Sequence, residues 1–169
     1  MDYRAIRPYI KSGHLLAWSH RAPFWRSWHD FKIAMVRFFT QSEYSHVGMA
    51  WVVGDRVLVI EAVTPLVRIY PLSKLGDFYH IPINGRFGYE ALSFALSRVG
   101  EPYSQLQAMA SPFAELREDT KWECAELCIA IGKRMGVDLG RFATPTEVVR
   151  TAMLNGAPCT LIQNPQEPT

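Results

Sequence analysis

Cysteine is scarce in this chain: three residues in 169, Cys124, Cys128 and Cys159. The number is odd and no pair has Cys-x-x-Cys spacing, which argues against a disulfide framework and a structural zinc site and for a reducing compartment. The five histidines, His14, His20, His29, His46 and His80, are scattered. None belongs to a His-Glu-x-x-His run or a Cys/His cluster, so no metal or other cofactor is expected. No stretch reaches the roughly 18 apolar residues of a membrane span. Met1 to Pro8 lacks the apolar core of an export signal, so the expectation is a cytoplasmic protein. The 18 basic and 16 acidic residues leave a formal charge of +2 and form no block that would track a phosphate backbone, which excludes nucleic acid as the expected partner. Internal repeats are also missing.

What is there suits one folded domain. Hydrophobic residues make up 49% and charged residues 20%, near globular averages. A chain of this length buries about 70% of the surface its unfolded form exposes. The domain is expected over 1–163, followed by a polar, proline-containing mobile tail over 164–169.

Leu15 to Trp18, after Gly13, reads as a first strand, and Asp30 opens a helix over Phe31 to Phe39. Ser45 to Val53 and Arg56 to Val63 are β-branched-rich runs joined by Gly54-Asp55, a two-residue hairpin loop. Leu66 to Tyr70 and Phe78 to Ile83 extend this into a meander. Tyr89 to Val99 has helical spacing at Leu92, Ala95, Leu96 and Val99, with Gly100 beyond its last turn. A second helix runs from about Glu123 to Met135 and is closed by Gly136. A third starts at Thr144-Pro145 with Glu147 completing a capping box. Strands in one block and helices in another give an α+β class: a small antiparallel sheet packed against helices.

The hairpin also places chemistry. With Gly54 and Asp55 in the loop, Val53 faces Arg56, Gly48 opposes Glu61 and His46 opposes Val63. His46 and Glu61 are then diagonal neighbours on one face, about 7 to 8 Å apart at the backbone. A slip of one residue would put them on opposite faces. A carboxylate there would fix the imidazole tautomer and favour its protonated form. The plainer reading is a solvated polar pair. Cys124 falls in the first turn of the helix after Asp119-Thr120-Lys121-Trp122, where free N–H groups and the helix dipole favour a thiolate. Its plainer reading is a small buried hydrophobe, the role expected of Cys128, which aligns with Ile131 and Met135.

The segment from His20 to Phe39 mixes Phe24, Trp25, Trp28, Phe31, Phe38 and Phe39 with Arg21, Arg26, Lys32 and Arg37. It suits peripheral membrane contact or an acyl-binding lid; the plainer and preferred reading is an ordinary helix and loop packed on the sheet.

Ser45-His46-Val47-Gly48-Met49, Glu61-Ala62-Val63, Gly100-Glu101-Pro102-Tyr103 and Glu123-Cys124-Ala125-Glu126-Leu127 resemble, in order and spacing, the YiiX-like permuted branch of the NlpC-type papain-like cysteine peptidases. The likeness spans about residues 12 to 150. It implies a permuted papain-like fold in which a Ser-His-x-Gly strand supplies the base, His46, a Glu-Ala-Val strand the orienting group, Glu61, and the helix start the nucleophile, Cys124. The permutation accounts for the histidine preceding the cysteine. Two departures, His14 after Gly13 where the family often has aspartate and Ser104 after Tyr103, bear on the cleft rather than on this triad. Tyr44, Tyr103, His14 and Glu126 are the candidates for lining that cleft.

Three functions follow as expectations. The first is a thiol peptidase or amidase on peptide or peptidoglycan-type bonds, working through a thioester. A phage-borne enzyme, associated with a virion, would meet its substrate without an export signal. The second is an acyl-lipid hydrolase or acyltransferase resembling lecithin retinol acyltransferases, although their Asn-Cys-Glu-His run is absent. The third is a non-catalytic binding or virion assembly module. In the first two the partner is an amide- or ester-containing substrate, whether peptide, peptidoglycan fragment or acyl lipid.

Overall fold

A computed structural model of the chain describes residues 1–19, 43–103 and 123–164. The helix expected over 31–39, the aromatic and basic segment around it and the residues just before Glu123 lie outside these. The elements are a short helix α1 (Tyr3–Ile6), strands β1 (Leu15–Trp18), β2 (His46–Val53), β3 (Arg56–Val63), β4 (Leu66–Pro71) and β5 (Phe78–Ile81), helices α2 (Tyr89–Ser97), α3 (Cys124–Arg134) and α4 (Pro145–Leu154), and strand β6 (Thr160–Ile162).

Five of the strands and three of the helices lie where hydrophobic periodicity and turn residues put them. The β2–β3 ladder runs from Val53↔Arg56 to Met49↔Ile60, the register expected of a Gly54-Asp55 loop. Gly54 takes a positive φ of 61°, which supplies the twist a two-residue hairpin needs. At the start of α4 the Thr144 side chain accepts the Glu147 N–H, and Pro145 occupies the first helical position, where its missing N–H costs nothing.

All the strands belong to one antiparallel sheet of order β4-β3-β2-β1-β5-β6. The meander holds for β2, β3 and β4. The next strand, β5, does not continue it but crosses to the far side of β1, pairing Leu16 with His80. The outer side of β4 is already occupied at its start by the residues after α2: Val67 N–H donates to Glu101 O at 2.8 Å and Tyr103 N–H to Pro65 O at 2.9 Å. β6, a strand the sequence pattern did not suggest, pairs with β5.

Alternation along the strands sorts the apolar residues into two clusters. Leu15, Ala17, Val47, Met49 and Ile60 pack with Leu127, Cys128 and Ile131 of α3 and with Val148 and Val149 of α4. Leu16, Ala50, Val57 and Val59 pack with Tyr3, Ile10, Leu72 and Phe78. Cys128 is fully buried in the first cluster, the structural role expected of it. In α2 the buried residues are Ala91 and Ala95, whereas Leu96 and Val99 stay exposed, so the helix presents its small residues inward. Asn164, expected to begin the tail, is buried and donates from its side chain to Leu72 O and Leu75 O. Residues 165–169 lie outside the described set. Among the described residues no helix is long and apolar enough to cross a membrane.

Candidate active site

The hairpin brings His46 and Glu61 into contact: His46 Nε2 is 2.7 Å from Glu61 Oε2. Gly48 makes this approach possible. A Cβ at that position would stand 2.7 Å from Val59 Cγ1 and 3.3 Å from Glu61 Cβ, so any side chain would push the third strand's residues aside. Glu61 is only 2% exposed, and its other oxygen, Oε1, accepts from Arg68 Nε at 2.8 Å and faces Arg68 Nη2 at 2.7 Å. Both carboxylate oxygens are thus held by cationic donors, the condition under which a buried charge is tolerated.

Arg68 was not singled out from the sequence. The β3–β4 ladder pairs Glu61 directly with Arg68. Thr64-Pro65, taken as a two-residue turn like Gly54-Asp55, gives that pair. The guanidinium also lies over the Tyr70 ring, 4.5 Å from its centroid, which limits its orientations.

Electrostatics follow from these contacts. Burial alone would raise the Glu61 pKa, but the hydrogen bonds and charges of His46 and Arg68 outweigh it and hold the carboxyl below its usual range. Burial alone would lower the His46 pKa; hydrogen bonds to Cys124 and Glu61, together with their charges, raise it instead to about 10. With Nε2 taken by Glu61, Nδ1 is the nitrogen left for Cys124. The Trp18 ring, opposite His46 on β1, stands 5.4 Å from the imidazole and flanks it. Replacing Arg68 with methionine should raise the Glu61 pKa and move the acid limb of thermal unfolding upward in pH. Melts between pH 3 and 6 that superimpose on those of the wild type would remove Arg68 from this account.

Cys124 is the first residue of α3, buried at 6% exposure. Its N-cap, Glu123, closes a capping box with Glu126, whose Oε2 accepts the Glu123 N–H at 3.4 Å. Glu126, expected in the cleft, is therefore a helix-start residue. Glu123 is 4% exposed, and burial, then the charge of Glu126, pushes its pKa up to about 8. The Tyr103 hydroxyl has a raised pKa from burial and from the charges of Cys124 and Glu123, which sets Tyr103 beside both.

The other two cleft candidates have partners of their own. Tyr44 is buried, its ring edge-on to Tyr79, its hydroxyl 3.6 Å from the Cys159 sulfur and its backbone N–H donating to Thr146 Oγ1 in α4 at 3.2 Å. His14 pairs with His80, Nδ1 to Nε2 at 2.8 Å. Burial, then the charges of His80 and Lys11, lowers the His14 pKa to about 4, so it is neutral. The crossing of β5 to β1 creates this pair, and no local pattern announces it.

No protein-family model matches the chain, and no curated protein matches it. Among solved structures, the crystal structure of metalloprotein YiiX from Escherichia coli O157:H7 is similar, with a TM-score of 0.55 and 20% identity over 78% of this chain and 69% of that one. The fold is YiiX-like. At this identity the likeness to YiiX speaks for architecture alone, which is the α+β arrangement of a six-stranded antiparallel sheet with helices. YiiX is named a metalloprotein, yet among the described residues here no group of three or more His, Cys, Asp or Glu side chains is arranged to hold a metal ion.

Proposed function

We propose that the protein is a cysteine-dependent amide hydrolase of the permuted papain-like kind, with Cys124 as nucleophile, His46 as acid and base, and Glu61 as the group that orients His46. One observation carries this reading: a single imidazole is bonded at Nε2 by a buried carboxylate and has Cys124, the first residue of a helix, among the groups that raise its pKa. Nucleophile, base and orienting group in that chain of contacts are the general signature of covalent acyl transfer.

In the reaction, Cys124 acts as a thiolate, its proton having passed to His46. The Cys124 sulfur attacks the amide carbonyl, and an S–C bond forms as the carbonyl oxygen gains charge. His46 gives its proton to the leaving nitrogen, the C–N bond breaks and a thioester remains. Water, deprotonated by His46, then attacks the thioester and releases the acid. Glu61 stays ionised throughout, held by Arg68. The backbone N–H of Cys124, free at the helix start, supplies one donor to the oxyanion.

The substrate class proposed is a peptide or peptidoglycan-type amide, on the strength of the four motifs' resemblance to the NlpC-type enzymes. Purified peptidoglycan incubated with the wild type should release peptides, and Cys124→Ala should release none. No release by folded wild type at any pH from 5 to 9 would count against this substrate. The acyl-lipid reading rested on 20–39, outside the described residues, and gains nothing from the site.

A further inference from the structure

A carboxyl oxygen is left over at the site. Glu123 directly precedes Cys124 and is 4% exposed, yet its Oε1 has no hydrogen-bond partner among the described residues. The capping box engages the rest of the group at the start of α3. Buried polar atoms in folded proteins are nearly always paired, so an orphan beside a nucleophile calls for a partner that the described residues do not supply.

Three facts say what that partner is. Tyr103 feels both Cys124 and Glu123, which sets all three groups close together. Burial, then Glu126, keeps the Glu123 proton on up to about pH 8. A neutral carboxyl has one accepting oxygen, suited to the helix-start N–H, and one hydroxyl that donates.

We propose that the Glu123 carboxylic acid is the second oxyanion donor, its Oε1–H bonding the oxygen of the carbonyl that Cys124 attacks. The inference rests on Cys124 being the nucleophile. Glu123 stays protonated through the step: as the sulfur adds, the carbonyl π electrons move onto oxygen, shared between the Cys124 N–H and the Glu123 hydroxyl. When the C–N or C–O bond breaks, the carbonyl re-forms and both donors are released unchanged.

The test compares two reactions of Cys124 at pH 7 in wild type, Glu123→Gln and Glu123→Ala, followed by mass spectrometry. Acylation by 4-nitrophenyl acetate passes through an oxyanion, forming the S–C bond and expelling 4-nitrophenolate. Alkylation by iodoacetamide displaces iodide and has none. Glu123→Ala should acylate roughly 10²-fold more slowly, the effect of losing one oxyanion donor. Its alkylation should stay within about 3-fold of wild type, because thiolate availability sets that rate. Glu123→Gln, whose amide still donates, should acylate within about 10-fold of wild type. Alanine acylating as fast as wild type, glutamine as slow as alanine, or both reactions falling together would each overturn the proposal. A wild-type Cys124 inert to both reagents would instead sink the nucleophile assignment, and this inference with it.

Discussion

Glu61→Ala should destabilise the protein by about 3–5 kcal/mol at pH 7, the cost of stripping one partner from a buried ionic network. The carboxylate is 2% exposed and holds both His46 and Arg68, so its removal strands two cations. The loss should depend on pH in a definite sense. The folded Glu61 pKa lies below its ordinary value of 4.5, so its stabilisation is present above that value and is lost as the pH falls through the folded pKa. The His46 pKa is raised from 6.5 to about 10, so its contribution is complete below 6.5 and is lost as the pH rises through about 10. Urea unfolding of wild type and Glu61→Ala should therefore differ most between these limits, and the gap should narrow by pH 3. A gap below about 1 kcal/mol at pH 7, the scale of an exposed ion pair, would show that Glu61 is no part of a buried network.

Glu123 behaves in the opposite way. Its folded pKa is raised from 4.5 to about 8, so the stability it contributes is complete below 4.5 and is lost as the pH climbs to 8. The limiting slope is about 1.4 kcal/mol per pH unit. Glu123→Gln has no such titration, and between pH 5 and 8 it should gain about 2–4 kcal/mol on the wild type. Thermal or urea unfolding across that range measures the gain directly. A constant difference would mean that Glu123 is ionised in the folded protein, and would also deny it the proton that an oxyanion donor needs.

Much of this site is legible because one turn sets one register. Gly54-Asp55 fixes the β2–β3 ladder, and from it follow the shared face of His46 and Glu61 and the glycine between them. The start of α3 was legible from helix spacing alone, and Cys128 from its alignment with Ile131. Contacts between segments distant in sequence were not. β5 pairs with β1 because the residues after α2 occupy the start of β4, and no periodicity within 78–83 encodes that choice. The His14–His80 pair and the burial of Tyr44 against Cys159 follow from the same long-range packing. Arg68 was within reach of the turn rule but needed Thr64-Pro65 to be read as a register anchor. Glu123 was hidden for another reason: a carboxylate beside a nucleophile reads as solvated charge until its burial is known.

The link between Cys124 and His46 decides whether the site is catalytic. Its most direct test is the iodoacetamide alkylation rate of each cysteine from pH 5 to 9, in wild type and in His46→Ala, with Cys128 and Cys159 as internal references. Cys124 alone should react quickly near pH 6, and this reactivity should disappear without His46. If all three cysteines are slow and indifferent to His46, Cys124 is a packed core residue and the fold serves binding rather than catalysis.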